Sequence, residues 1–167
     1  MDPVKVIADL KKSELFSAWL KENQKCYLSH FFVQLDDKLK AITNWDIGYY
    51  NPITKKIIIF SLDEASKSFS IKPADDVFKK ESDIVERLEV SVVKLSLEEA
   101  KDRCCEELPK QFPKESYGGG FLILQNWKKT VVWNFTLMTK TIKFANLKIN
   151  ALDGEVFEHQ IIELIQK

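Results

Sequence analysis

Few side chains in this sequence have the types and the spacing that catalysis requires. Cys26 and His30 are four positions apart, and a cysteine beside a histidine can act as a nucleophile with its base. Both fall in a stretch that we predict to be a strand, where four residues span roughly 13 Å. That distance is too long for a hydrogen bond between the two side chains, so we predict no catalytic residue.

The string SYGGGFL places Gly118, Gly119 and Gly120 side by side. Glycine-rich loops that bind phosphate usually follow a strand, open a helix and carry a lysine or hydroxyl residue. Here the glycines follow a predicted helix and precede a predicted strand, and no lysine or hydroxyl residue closes the loop. We therefore expect a flexible helix-to-strand connection.

His159 has several acidic neighbours in the sequence, namely Asp153, Glu155, Glu158 and Glu163. Such a group could hold a divalent cation, but its spacing matches no common ligand pattern. We expect these side chains to be solvated and assign no metal and no cofactor, although the sequence leaves cation binding around His159 open.

Aromatic side chains are the best candidates for binding. Trp127, in QNWKKT, falls where two predicted strands turn, so it either anchors a partner or folds back onto its own sheet. Trp45, Tyr49, Trp133 and Phe135 alternate along predicted strands, which favours a place in the core. If their face of the sheet is open instead, they would line a concave apolar surface for a peptide or small ligand.

The composition restricts the classes of partner. The chain has 167 residues, of which 45% are hydrophobic and 30% charged, as in a globular protein. Lys plus Arg and Asp plus Glu number 25 each, so no net charge attracts the molecule to nucleic acid or to an acidic membrane. The sequence therefore predicts a protein that binds neither nucleic acid nor a membrane.

Localisation is predicted from three features. The first residues lack the unbroken apolar segment of a signal peptide, and no stretch approaches the ~18 apolar residues that span a bilayer. The three cysteines are odd in number, and Cys104 and Cys105 are adjacent. A reducing, cytoplasmic location is the expectation.

The order of predicted elements is the same in the two halves of the chain. Asp2 and Pro3 begin an amphipathic helix of about five turns, which is followed by three strands. Residues 64–82 are predicted to be mainly a connection, with room for a short strand around Phe69, and LEVSVVKL (88–95) a strand. A capping box, SLEE at 96–99, then begins a second helix that should stop before Pro109, and three more strands follow the glycines.

Two pairs of matching residues support a repeat. Trp45 and Trp133 occupy the middle strand of each predicted half, and Leu62-Asp63 corresponds to Leu152-Asp153. The offset between the halves grows from 88 to 90 residues between these pairs. The alternation of apolar residues predicts that a β-bulge near Ala145-Asn146 takes up the two extra residues.

The end of the third strand, INALDGEV (149–156), resembles the PepSY-type repeat, a small relative of the cystatin-like fold. In that family the last strand reaches a turn like Asp153-Gly154-Glu155-Val156. The resemblance covers residues 94–158, and the first half only by analogy, since Asp63-Glu64 lacks the glycine. It implies the fold and a role in binding proteins or peptides.

These observations predict an α+β protein with two repeated units, each a helix and a three-stranded antiparallel sheet, packed together. The units are predicted at residues 1–75 and 94–167, with a connection and entering strand at 76–93. We predict a non-enzymatic protein- or peptide-binding module. The alternatives are a pocket between helix and sheet for a small ligand or a reaction, and a purely structural or homodimeric module. Four polar residues could serve that pocket: Tyr27, His30, Asp46 and Asn134.

Overall fold

The computed structural model describes residues 1–76 and 84–163, with the backbone alone at 73–76. Its helices are α1 (Pro3–Lys12), α2 (Glu14–Glu22) and α3 (Leu97–Gln111). Its strands are β1 (Tyr27–Leu35), β2 (Trp45–Asn51), β3 (Lys56–Asp63), β4 (Ser68–Asp76), β5 (Tyr117–Trp127), β6 (Thr130–Thr139), β7 (Lys143–Asn150) and β8 (Val156–Glu163). All eight strands belong to one antiparallel sheet, in the order β4-β3-β2-β1-β5-β6-β7-β8.

The prediction of two packed units, each with a three-stranded sheet, is wrong. Each half of the chain forms a four-stranded meander, and the two meanders join where β1 pairs with β5, from His30 opposite Gln125 to Leu35 opposite Gly120. Pairing the first strands of the two meanders removes two exposed sheet edges, which separate units would have left open. One continuous sheet therefore spans both predicted units.

Two stretches near the middle of the chain differ from their predictions. Residues 64–82 were expected to be mainly a connection with room for a short strand around Phe69, and the strand there, β4, is longer than expected and pairs with β3. Residues 77–82 of that stretch lie outside the described part. LEVSVVKL was expected to be a strand, but it contains a short 3-10 turn at Val90–Val92. Leu88 is buried there, and its amide donates to the Leu28 carbonyl at 2.9 Å, so the stretch crosses the end of β1 instead of joining the sheet.

The first predicted helix is two helices that meet at Ser13. The Ser13 side chain accepts a hydrogen bond from the Phe16 amide at 3.2 Å and donates to the Leu10 carbonyl at 2.7 Å. Its backbone is extended, with ψ of 143°, so it ends α1 and caps α2 in one residue. A serine in this position is a favourable N-cap, which the apolar periodicity alone did not reveal.

The capping box at Ser96 and Glu99 is present as predicted. The helix that it starts continues past Pro109 to Gln111, contrary to expectation. Pro109 lies in the last turn, where its missing amide costs one intrahelical hydrogen bond near an end that already lacks partners.

The three consecutive glycines do not form a flexible connection, because they lie inside β5. The β5–β6 register shifts between Tyr117 and Gly120, and a side chain at Gly120 would collide with the Thr136 backbone. A side chain at Gly119 would come within 2.6 Å of the Leu35 carbonyl oxygen. These glycines therefore allow close approach of backbones in the sheet.

The predicted bulge near Ala145-Asn146 is absent. β6 and β7 pair without interruption from Val132 opposite Asn150 to Met138 opposite Phe144. The shift lies instead in the β7–β8 pairing, between Lys148 and Ile149.

The predicted correspondence between Asp63 in the first half and Asp153 in the second half is wrong. Trp45 lies opposite Leu62 and Trp133 opposite Ile149, so Asp63 corresponds to Asn150. Both side chains accept a hydrogen bond from the backbone amide two residues later, at 2.9 Å and 3.0 Å.

The helices lie on one face of the sheet and form a single hydrophobic cluster with it. Phe16 of α2 packs against Tyr49 and Phe60, with ring centroids 5.2 and 5.4 Å apart. From α3, Cys104 and Leu108 join the same cluster. No helix in the described residues is long and apolar enough to cross a membrane.

Candidate functional site

The face of the sheet opposite the helices, here called the outer face, carries a row of side chains that crosses six strands. Successive members lie directly opposite one another, and the row is Asp46, Phe32, Ile123, Asn134, Lys148 and Glu158. At about 4.8 Å between strands, this central row is roughly 24 Å long. It is charged at both ends and apolar near its middle.

Lys148 anchors one end of the central row and is almost fully buried, with 3% of its surface exposed. Its ammonium group donates to Asn146 Oδ1 at 2.6 Å and to Glu158 Oε1 at 2.9 Å. It also lies 4.9 Å from the centroid of the Trp127 ring. These partners compensate the loss of hydration that a buried ammonium suffers.

The network continues through the Asn146 amide. Asn146 Nδ2 donates to Asn134 Oδ1 at 2.7 Å and to Thr136 Oγ1 at 2.8 Å. All three residues are buried. Connected buried hydrogen bonds of this kind fix the side chains in one arrangement, so this end of the outer face is rigid.

Glu158 joins the network to the surface. Its Oε2 accepts from Lys128 Nζ at 2.8 Å, while its Oε1 accepts from Lys148. Hydrogen bonds from Lys128 and Lys148 lower the pKa of this carboxyl from its ordinary value of 4.5 to about 2, so Glu158 is ionised at neutral pH.

The opposite end of the central row contains an ion pair and a histidine. Lys72 Nζ lies 2.7 Å from an Asp46 carboxylate oxygen. The neighbouring His30 has its pKa lowered from 6.5 to about 4 by burial, although Asp46 acts in the raising direction. The imidazole is therefore neutral at pH 7.

The tautomer of His30 follows from its contact with Ser29. Ser29 Oγ donates to the Gly48 carbonyl at 3.0 Å and lies 2.9 Å from His30 Nδ1. Because the single hydroxyl proton is used on Gly48, Nδ1 carries the imidazole proton and Nε2 is the acceptor. The ring occupies the space over Gly48, where a β-carbon would collide with it.

Near the middle of the central row, on β1 and β5, the outer face is apolar. Phe32 and Ile123 lie directly opposite each other, and the Phe121 ring centroid is 5.8 Å from that of Phe32. All three side chains are only partly buried. We call these three residues the apolar centre.

Most of the aromatic residues that the sequence predicted as binding candidates lie on the face of the sheet that the helices cover. Trp45 and Trp133 are 1% and 0% exposed, and Phe135 and Tyr49 are also buried. Trp127 is partly exposed at the β5–β6 hairpin, where its ring lies beside Lys148 and its Nε1 is 3.5 Å from Glu158. The structure therefore folds Trp127 back onto its own sheet.

That hairpin turns through Lys128 and Lys129, which have φ of 50° and 67°. Positive φ at both central residues is the geometry of a type I′ turn, for which Asn-Gly is the usual sequence signal. Two lysines give no such signal, and the turn was recognisable only from the strands on either side of it.

The cysteine, histidine and acidic residues that were considered for catalysis or metal binding do not lie together in the structure. Cys26 is buried on the helix side, whereas His30 faces the outer side of the sheet. His159 packs against Phe112, with centroids 5.8 Å apart, while Glu158 and Glu163 pair with lysines. Within residues 1–76 and 84–163, no three His, Cys, Asp or Glu side chains are grouped so as to hold a metal ion.

A partly open groove lies between the helices and the sheet. Its volume is about 410 Å³, and its walls come from α1, α2, β1, β2 and residues 87–90. Of the four polar residues predicted for such a pocket, Tyr27 lines it, whereas His30, Asp46 and Asn134 belong to the outer face.

The comparisons with known proteins reveal a shared fold and no family. No protein-family model matches the sequence, and no curated protein matches it. A crystal structure of a candidate lipoprotein from Clostridium difficile 630 has a similar fold, with a TM-score of 0.53 and 8% sequence identity. The match covers 89% of this chain and 90% of that chain. The resemblance to PepSY repeats stays a prediction that these comparisons do not test.

Proposed function

We propose that this protein is a non-enzymatic binding module that docks an apolar segment of a partner protein on the outer face of its sheet. The observation that carries the proposal is the apolar centre, where Phe32, Phe121 and Ile123 form a contiguous, partly exposed group. Apolar groups of this kind within a polar frame are typical of protein interaction surfaces.

The surroundings of the apolar centre also suit a docking surface. The charges at both ends are already paired, as Asp46 with Lys72 and Glu158 with Lys128 and Lys148. A partner that covers the centre therefore does not have to neutralise an isolated charge. The buried network around Asn146 holds one side of the surface rigid, which reduces the entropy lost on binding.

The proposal predicts that Ile123→Glu weakens partner binding. The probe is a phage-displayed library of random peptides selected on the wild-type protein, which we expect to enrich sequences with several apolar residues. A carboxylate in the apolar centre should weaken the selected peptides at least about tenfold, because docking would bury an unpaired charge. Affinities are measured by isothermal titration calorimetry.

The matched control is Ile53→Glu. Ile53 lies in the turn between β2 and β3 and is 66% exposed, so this variant introduces the same charge away from the outer face. It should bind the selected peptides as the wild type does, and circular dichroism should report both variants as folded. Peptides that bind Ile123→Glu with unchanged affinity, or a library without any enriched sequence, would contradict the proposal.

A second copy of the chain is the competing occupant of this surface. Light scattering over a dilution series separates the two cases, since a homodimer built on the outer face dissociates on dilution and fails to form in Ile123→Glu. If the wild type forms a concentration-dependent dimer and Ile123→Glu does not, the outer face binds a second copy of the chain and not a different protein.

A further inference from the structure

We propose that the partner segment docked on the outer face carries a carboxylate close to its apolar residues, and that Arg87 binds this carboxylate. This assignment rests on the proposed function, to which it adds the charge of the partner and the residue that selects it. Three features support it: a guanidinium without an ion pair, the aromatic rings that hold it, and the charges around it.

Arg87 lies on the outer side of the sheet, at the end where β1 begins. The chain crosses that end of the sheet, so that Leu88 is buried in the core while Arg87 is exposed. The Arg87 guanidinium lies 5.0 Å from the centroid of the Tyr27 ring, and the centroids of Tyr27 and Tyr50 are 5.6 Å apart. Tyr50 follows Tyr49 on β2 and points away from the helices, because successive side chains of a strand lie on opposite faces. The guanidinium therefore belongs to the outer face.

The Tyr27 ring holds the guanidinium without using its hydrogen-bond donors. The face of an aromatic ring attracts a cation, whereas the N–H groups of arginine lie in the plane of the guanidinium. The ring is itself fixed, since the Tyr27 hydroxyl donates to the Val85 carbonyl at 2.7 Å and the ring packs against that of Tyr50. The N–H groups of Arg87 therefore remain available for two parallel hydrogen bonds to a carboxylate.

Arg87 has no acidic partner among the described residues. Its side chain forms no salt bridge with them, and its backbone is fixed because the carbonyl accepts from Asn126 Nδ2 at 3.1 Å. The adjacent Glu86 is directed to the β5–β6 hairpin, where its carboxylate accepts from the Lys129 amide at 3.0 Å. A carboxylate of the partner therefore competes with no described acid for the guanidinium.

The charges around Arg87 favour an anionic partner. Contacts between the β5–β6 hairpin, β7, β8 and the start of the crossing segment bring six charged side chains together at this end of the outer face. They are Glu86, Arg87, Lys128, Lys129, Lys148 and Glu158. Four cations and two acids leave this group with a formal excess of two positive charges, although the whole chain is neutral. Such an excess attracts an acidic segment and repels a basic one.

One extended segment can contact both Arg87 and the apolar centre. Tyr27, which holds the guanidinium, and Phe32 of the apolar centre both lie on β1, roughly 15 Å apart along the strand. His30 lies between them and places no second cation there, because burial lowers its pKa to about 4. An extended partner segment covers this distance with about four or five residues, which sets the spacing between its acid and its apolar side chains.

The test uses the peptides that the wild-type protein enriches from the phage-displayed library. We expect these peptides to carry Asp or Glu about four or five positions from their apolar residues. Each peptide is synthesised again with that acid replaced by its amide, Asn or Gln, and both forms are titrated by isothermal calorimetry. The amide form should bind the wild type about tenfold more weakly, and added salt should weaken the binding of the acidic form alone.

Three variants identify the residue that binds the acid. Arg87→Gln should bind the acidic and amide forms equally, because the cation that distinguishes them is gone. Arg87→Lys keeps the charge but loses the planar pair of donors, so it should retain only part of the preference. Lys21→Gln is the matched control, because it removes one positive charge from the exposed last turn of α2, on the other side of the sheet. It should keep the full preference, and circular dichroism should report all three variants as folded.

Three results would overturn this role of Arg87. They are enriched peptides without an acidic residue, equal affinities of the acidic and amide forms for the wild type, and an undiminished preference for the acidic form in Arg87→Gln.

The same peptides distinguish a failure of this inference from a failure of the proposed function. Peptides that Ile123→Glu weakens and Arg87→Gln does not would support the apolar centre and contradict the role of Arg87. The converse test uses Ile123→Asn, which adds no charge to repel an acidic peptide. Acidic peptides that Arg87→Gln weakens and Ile123→Asn does not would support Arg87 and contradict the apolar centre. A library without any enriched sequence would contradict both.

Discussion

At the scale of single residues, the outer face depends on a lysine that the fold removes from water. Lys148 is buried among polar partners, and Glu158 is the acid that neutralises it. Breaking such a pair leaves an uncompensated charge, which costs more than the pair contributes. The pair therefore constrains which substitutions β7 and β8 tolerate.

The ionised Glu158 should make the free energy of unfolding decrease at acidic pH. Its pKa is about 2 when folded and 4.5 in its ordinary state, so the unfolded chain binds the proton more tightly. The stabilisation is complete above about pH 4.5 and is lost as the pH falls towards 2. Glu158→Gln should reduce the free energy of unfolding by about 2 kcal/mol at pH 7, measured by urea denaturation, and this difference should shrink below pH 4.

Glu163→Gln is the control for this prediction. Glu163 lies on the same strand and pairs with Lys143, but 66% of its side chain is exposed. Exposed pairs contribute about 0–1 kcal/mol, so this variant should differ little from the wild type at any pH. An equal loss of stability at pH 3 and pH 7 in Glu158→Gln would show that the ionised pair is not the cause.

The burial of Lys148 could not be predicted from the sequence. Alternation along β7 does place Asn146 and Lys148 on the face opposite Leu147 and Ile149. Alternation cannot show that Glu158 and Trp127 cover the lysine, because those residues come from other strands.

At the scale of elements, Ser13 determines how the first helical segment bends over the sheet. It closes α1 and opens α2, and Phe16, which packs on the sheet, is the residue whose amide it caps. The direction of α2 and the position of Phe16 are therefore set at one residue.

Ser13→Ala should destabilise the protein by about 1 kcal/mol, the usual effect of losing an N-cap side chain. For a chain of this length, the melting temperature should fall by about 2–4 °C. Ser17→Ala, within α2, is the control, since alanine favours a helix and the Ser17 side chain is exposed. The melting temperatures of both variants are measured by differential scanning calorimetry. Equal melting temperatures for Ser13→Ala and the wild type would show that the Ser13 cap does not contribute to stability.

The sequence predicted a helix or strand correctly where short-range signals are enough to determine it. β1 and β3 were recognised from their aromatic and β-branched residues, β2 and β6 from alternation, and the start of α3 from the capping box at Ser96. The errors have tertiary causes. Residues 88–95 have strand composition but lack a neighbouring strand, and β4 has weak composition but gains its structure by pairing with β3.

At the scale of the whole molecule, the pairing of β1 with β5 joins the two halves of the chain. Residues almost a hundred positions apart form this central pair, so periodicity within either half contains no information about it. The sequence indicated the doubled order of elements, and the structure shows that the product is one sheet over one core.

A single sheet and a single core predict one cooperative unfolding transition. Trp19 and Trp45 report on the first half, and Trp127 and Trp133 on the second. Each pair can be replaced by phenylalanine in turn, which leaves fluorescence from the other half. In each variant, fluorescence and far-ultraviolet circular dichroism should give the same urea midpoint. A fluorescence midpoint that precedes the dichroism midpoint in either variant would mean that the halves unfold separately.

The contact between His30 and Gly48 ties two sequence positions together. The imidazole fills the volume that a β-carbon at position 48 would need. Alanine is therefore expected at position 48 only in a sequence that has already replaced the histidine by a smaller residue. In the divergence of this protein, these two sites should change jointly, with the loss of the ring preceding the gain of the methyl group.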